Sequence, residues 1–260
     1  MSISVLGIYV ADLVFFGKKI PVEGETILGN NFVIGPGGKG SNQAVAAAKA
    51  GVKTYFISKI GDDQFGEMAT KIYDEAKVDY SNVIISKEHS TGAAAIMVNE
   101  QSGANAINVF PGAAGAITNN DIDKAEEAIK NSKIFLTQLE APTDTVMYAI
   151  KKAKNLGVQT ILNPAPAADI HKSIFPFIDY FTPNETEASF YVNHPVETHE
   201  DASKAANTLL DMGIKNVIIT LGEKGAYFAN TNESFSSPIA NSSNPVVDTT
   251  GAGDAFNPRF

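Results

Sequence analysis

The chain has 260 residues, a formal net charge of −9, 44% hydrophobic and 19% charged residues, which excludes a disordered or fibrous chain and suits one sizeable α/β core. The acidic balance, with lysines scattered rather than clustered, argues against nucleic acid as the main partner. There is no cysteine, which removes disulfides and thiol chemistry, and no apolar run of bilayer-spanning length; cytoplasmic location without a membrane partner is expected.

Along the chain, Ile3 to Ile8 is an apolar run suited to a buried strand. Asp12 to Ile34 lacks helical period and reads as a β-rich excursion. Ser41 to Ala50 is alanine-rich and closes on Gly51, as a helix with a glycine C-cap does. Thr54 to Ile60 returns to strand, and Gln64 to Ala76 to helical spacing. Gly92 to Phe110 reads as two strands about a Glu100–Gly103 turn. Alternation resumes with strand 134–137, helix 143–155 and strand 159–162. The clearest helix, Glu200 to Met212, sets Ala202, Ala205, Ala206, Leu209 and Leu210 on one face of a 3.6-residue period. Gly213 ends it and strand 216–221 follows. This pattern predicts a single α/β domain over 1–260, a three-layer α/β/α sandwich with a mostly parallel sheet covered on both faces. The excursions at 12–34 and 92–110 are either edge hairpins or a small β-sheet lid over a substrate, which could also pair with another subunit.

Three glycine clusters carry the candidate chemistry. The first, Gly35 to Asn42, contains a literal G-x-G-x-x-G at Gly35, Gly37 and Gly40, with Asp62 and Asp63 just over twenty residues later. That is the spacing of a dinucleotide site, although no such turn follows the first strand. It is not a Walker A loop, since Gly40 follows Lys39. Its plainer meaning is close backbone approach and a helix N-terminus offered to a polar ligand. The second, Thr220 to Gly225, reads as a hairpin turn. The third, Val247 to Asn257, brings small residues into a helix start where free N–H groups face an anion, with Asp254 in the first turn. A helix cap is the plain alternative for Asp254. His89, His171, His194 and His199 lack metal-ligand spacing, and no G-x-S-x-G elbow is present.

The first and third clusters resemble the two signatures of the ribokinase-like carbohydrate kinases. Gly37 to Ala44 is similar to the amino-terminal one, and Asp248 to Phe256 to the carboxyl-terminal one. Asn163 to Ala167, Thr182 to Glu187 and Thr220 to Gly222 resemble intervening family motifs in the family's order. The resemblance implies ATP-dependent transfer of the γ-phosphate to a primary hydroxyl of a small sugar such as ribose. It implies Asp254 as general base and Gly251, Ala252 and Gly253 as an anion hole. Val10, Asp12, Gly38, Lys39, Gly40, Ser41, Asn42 and Glu140 then fall on the sugar side. Asn184, Thr220, Gly222, Glu223, Lys224, Gly225 and Gly253 fall on the nucleotide side. Glu187 is implied to organise Mg2+ through water. Asp248 and the Thr250 carbonyl are implied to hold an activating monovalent cation, K+ by the oxygen-rich set, and the lid to join a homodimer.

Two departures stand out. Val10 occupies a place where the family tends to carry Asn, which removes a hydrogen-bond partner for one sugar hydroxyl. Relatives also continue for some tens of residues beyond this stretch, so a shortened chain is expected. Pro258 is expected inside the last helix, where proline costs about 3 kcal/mol. Alternatives are a kinase of fructose or a nucleoside, a non-catalytic sugar- or nucleotide-binding protein, and a nicotinamide dehydrogenase using Gly35 to Gly40.

Overall fold

In the computed structural model, which describes residues 1–240, 249 and 251–259, strand and helix alternate as the periodicities require. The first strands are β1 (Ser2–Leu6), β2 (Val10–Gly17), β3 (Asn31–Gly37), β4 (Lys53–Gly61), β5 (Asp79–Ser86), β6 (Thr91–Asn99) and β7 (Asn105–Gly112). They are followed by β8 (Ile134–Thr137), β9 (Gln159–Leu162), β10 (Tyr180–Phe181), β11 (Asn216–Thr220), β12 (Ala226–Asn230) and β13 (Ser234–Ser237). The helices are α1 (Lys39–Lys49), α2 (Gln64–Ala76), α3 (Asn119–Lys124), α4 (Glu126–Lys130), α5 (Thr143–Asn155), α6 (Glu185–Val192), α7 (His199–Asp211) and α8 (Ala252–Phe256).

Among the described residues nine strands form the main sheet, in the order β13-β12-β11-β10-β9-β8-β1-β4-β5. From β11 to β5 every pairing is parallel, while β12 and β13 are antiparallel additions at one edge. Alternate residues of each central strand serve opposite cores. Ile3 and Val5 of β1, with Ile134 and Leu136 of β8, pack towards Ala44 and Ala47 of α1 and Tyr73 of α2. Leu6, Phe135 and Leu162 face the other way, against Val146 and Ile150 of α5 and Ala202, Ala206 and Leu209 of α7. Thr198 caps α7 in a capping box with Asp201, a signal present in the sequence as Thr-x-x-Asp. Among the described residues no helix is long and apolar enough to cross a membrane.

Both β excursions join one separate four-stranded sheet, β3-β2-β6-β7, with β2 and β6 parallel and the outer pairings antiparallel. They are therefore not hairpins on an edge of the main sheet, and their strands extend past the expected limits, to Val10 and Gly37 and to Thr91 and Gly112. Asp12 accordingly lies in β2, not at the end of the first strand, which stops at Leu6. The last helix also differs from expectation. It ends at Phe256, and Pro258 sits in a following 3₁₀ turn, outside the helix interior.

Candidate active site

The carboxyl ends of the parallel strands converge on one cleft, as the topology of such sheets requires. Immediately after β8 come Gln138 and Glu140, after β9 Asn163, and after β10 Thr182 and Asn184; Thr220 ends β11. With Lys39, Ala165, Glu187, Thr249, Gly251, Gly253, Asp254 and Asn257, residues from this set line a cleft of about 230 Å³.

The glycines of the first cluster approach the chain itself. A Cβ on Gly40 would lie 2.5 Å from Gly7 Cα, and one on Gly38 2.5 Å from the Ile8 carbonyl oxygen. Gly38 also has φ 88°, which favours glycine. This crossing seats the start of α1 directly over the exit of β1. Gly37 leaves room for the Asp12 carboxylate, which would stand 2.2–2.5 Å from any added Cβ. Gly35 and Gly37 lie in strand β3 of the four-stranded sheet, not in a strand-to-helix turn. Asp63 caps α2, accepting from the Gly66 amide at 2.9 Å and the Thr91 amide at 2.7 Å. Both observations remove the basis of the dinucleotide reading.

Asp254 is buried in the first turn of α8, which follows Gly251 in the left-handed region at φ 73°. Its Oδ2 accepts from Asn42 Nδ2 at 3.0 Å and its Oδ1 from Gln43 Nε2 at 3.2 Å, across more than 200 residues of sequence. Glu140 Oε2 accepts from the Lys39 amide at 2.8 Å. Burial pushes the Glu140 carboxyl up to about 7; the Lys39 amide and ammonium oppose the shift, and the charges of Asp254 and Asp12 add to it. Asp12 is raised by burial. Glu187 and Asp254 thus line the cleft with Lys39, and Glu140 is near enough to feel the charges of both Asp254 and Asp12.

Asn184 and Glu187 form a capping box at the start of α6: the Glu187 amide donates to Asn184 Oδ1 (2.8 Å) and the Asn184 amide to Glu187 Oε2 (2.9 Å). Burial raises the Glu187 carboxyl, opposed by the Asn184 amide and by the charge of Lys39.

Several expected site residues sit elsewhere. Gly222, Glu223, Lys224 and Gly225 form the turn between β11 and β12 beyond the cleft wall, and Lys224 Nζ donates to the Glu197 carbonyl. Ser41 is buried, its hydroxyl accepting from Tyr73. Val10 is buried in the hydrophobic core, two residues before Asp12 on the same face of β2. The Ala252 amide already donates to the Thr249 carbonyl at 3.1 Å, so one of the three expected anion-hole amides is engaged. Asp248 and Thr250 lie outside the described residues. Conversely, Gln43, Gln138, Asn163, Thr182 and Asn257 form a buried polar chain behind Asp254 that no local spacing announces.

The profile of the pfkB family carbohydrate kinases matches residues 1–258. Deoxyribokinase of Salmonella typhi is 38% identical, over 98% of this chain and 83% of its own. Ribokinase of Haemophilus influenzae is also 38% identical, over 100% and 84%. Among solved structures, Arabidopsis thaliana ribokinase complexed with ribose and ATP superposes with TM-score 0.91 at 33% identity, covering 99% of this chain and 83% of that one. With the cleft at the strand ends and these matches over nearly the whole chain, this protein belongs to the pfkB family of carbohydrate kinases and is a ribokinase-like sugar kinase.

Proposed function

We propose that this kinase transfers the γ-phosphoryl group of ATP to the primary hydroxyl of a pentose, with Asp254 as general base. The observation that carries the reading is the pair of amide donors, Asn42 and Gln43, aimed at the Asp254 carboxylate where it borders the cleft. Such donors orient the carboxylate that must accept a proton. Phosphoryl transfer otherwise needs positioning and charge stabilisation. The sugar lies between Asp12, Asn42, Glu140 and the Lys39 end of α1, and the nucleotide along Asn184 and Thr220 towards the Gly222–Gly225 turn. Lys39 and the Gly253 amide face charge on the transferring group.

Glu187 lines the cleft and would hold Mg2+ through water beside the nucleotide phosphates, the pattern this ion prefers. Among the described residues no cluster of three acidic or His side chains could enclose a metal. Mg2+, when bound with the nucleotide, neutralises phosphate charge. We assign the monovalent cation to Asp248 and Thr250 from the family resemblance alone, and location in the cytoplasm from the cysteine-free composition. The exposed apolar lid face, with Phe15, Phe32, Ile107 and Phe110 each about half exposed, supports pairing of two lids. Sedimentation of the purified chain would show a dimer, and a strict monomer would contradict it.

Ribose and deoxyribose are both candidates, since named relatives act on each. One observation favours deoxyribose. Val10 stands two residues before Asp12 on the same face of β2, an apolar side chain that offers no hydrogen-bond partner to an additional hydroxyl. In a coupled ADP-release assay, kcat/KM is expected to be about tenfold higher for deoxyribose than for ribose, with Val10→Asn reversing the preference. Equal use of both sugars by parent and variant would reject Val10 as the discriminator. Absence of turnover with every sugar would reject the kinase reading.

Glu140 supplies a pH dependence. A sugar hydroxyl donating to its carboxylate favours the charged form, so affinity should strengthen as pH rises through about 7. The effect on folding has the opposite sense. The raised value means the folded chain keeps this proton above the ordinary 4.5, so its contribution to stability is complete below that value and lost as pH rises through about 7. Calorimetric titration of sugar at pH 6 and pH 8 should show tighter binding at pH 8 and release of protons between them. Glu140→Gln should flatten the dependence, and a parent whose affinity ignores pH would contradict this role.

A further inference from the structure

Behind Asp254 lies an amide that solvent cannot reach. Gln43 is 0% exposed on the first turns of α1, and its orientation is fixed from a distant anchor. The Thr182 carbonyl can only accept, so Asn163 turns Nδ2 towards it (2.8 Å) and presents Oδ1 to Gln43. That oxygen can only accept in turn, so Gln43 presents its NH₂ group, one hydrogen to Asn163 at 3.1 Å and the other to Asp254 Oδ1 at 3.2 Å. Gln138 Nε2 donates to Gln43 Oε1 at 2.5 Å, which suits the same orientation. The far end is held as well: the Thr182 hydroxyl bonds Asn257 Oδ1, and Asn257 Nδ2 donates to the Gly253 carbonyl at 2.8 Å, one residue before Asp254.

The two oxygens of Asp254 therefore have unlike partners. Oδ1 is tied to a buried side chain with no freedom to leave. Oδ2 is met by half-buried Asn42, which can give way to a substrate hydroxyl. We propose that Gln43 is a positioning residue that locks Asp254 Oδ1 and thereby makes Oδ2 the atom that receives the substrate proton. In that step the sugar O–H bond breaks and its proton passes to Oδ2. The sugar oxygen's electron pair forms the new bond to the γ-phosphorus as the bond from that phosphorus to the β,γ-bridging oxygen breaks, and ADP leaves with the electron pair of the broken bond. The inference rests on the reading of Asp254 as general base.

Gln43→Met keeps the length and apolar bulk of the side chain and deletes both donors. We expect kcat to fall about 10- to 100-fold while KM for sugar and for ATP stays within about threefold, since the loss concerns the reacting geometry. Gln43→Glu, equal in size, sets a second carboxylate against Asp254 and should lose more than the Met variant; an equal or smaller loss would count against the proposal. Crystal structures supply a readout independent of turnover: one carboxylate orientation at Asp254 in the parent, a rotated or split one in Gln43→Met. A Met variant within twofold of the parent kcat, or an unmoved carboxylate, would overturn the proposal. If instead Asp254→Asn keeps full turnover, the base assignment itself fails, which is a separate result.

Discussion

Asp254→Asn is expected to lower kcat by about 10³-fold, within the range that removal of a general base commonly costs. Binding should survive, because Asn keeps the size of the side chain. Its Oδ1 can still accept from Gln43, while its Nδ2 would face Asn42 Nδ2, donor against donor. Asn42 is half-buried and can turn away, so the fold and the cleft should persist. Coupled ADP release gives the rate, and calorimetry with sugar and with ATP gives the affinities. A variant that retains turnover within tenfold would remove Asp254 from the chemistry. A variant that loses affinity and rate together would make it a binding residue.

Gly40→Ala should be the most damaging small change in the loop. The new methyl would meet Gly7 Cα at 2.5 Å, Gly7 C at 2.9 Å and Ile8 N at 3.0 Å, all backbone atoms with no rotamer to give. The start of α1 would have to lift from β1. That movement loosens the packing of Ala44 and Ala47 and carries Asn42 and Gln43 away from Asp254. Overpacking of this kind costs about 1–3 kcal/mol, which for a chain of this size lowers Tm by roughly 2–12 °C. Gly35→Ala is the control, because its added Cβ finds open space and its φ is not in the left-handed region. Thermal melts should separate the two clearly. A Gly40→Ala chain that melts with the parent would contradict the backbone crossing.

The alternation of apolar strands with 3.6-period helices is local information, and it carried most of the main sheet. Helix 64–76, helix 143–155 and strands 134–137 and 159–162 fall at the residues their periodicity marks. Elements with weak local pattern escaped. β5 is a half-buried edge strand, β10 has two residues, and α3 and α4 are a broken pair of short helices. The small sheet showed itself as a break in rhythm, but its pairing of β2 with β6 joins residues about eighty positions apart and has no local signature. In the site, Asp254 was legible because small residues before a helix leave amides open. The glycines at 38 and 40 were legible as close approach, yet not what they approach. The chain Gln138, Gln43, Asn163 and Thr182 was invisible for the same reason as the pairing of β2 with β6: each link spans from 19 to 120 residues. Asn184-x-x-Glu187 could have been read as a capping box, as Thr198-x-x-Asp201 could, from the sequence alone.

The most direct test of the account is a crystal structure of the chain with ADP and deoxyribose or ribose bound together. Asp254 Oδ2 should lie within about 2.6–3.2 Å of the sugar's primary hydroxyl, with Asn42 displaced or shared and Oδ1 still on Gln43. A sugar whose primary hydroxyl points away from Asp254, or a nucleotide bound outside the cleft between Asn184 and Gly253, would contradict it.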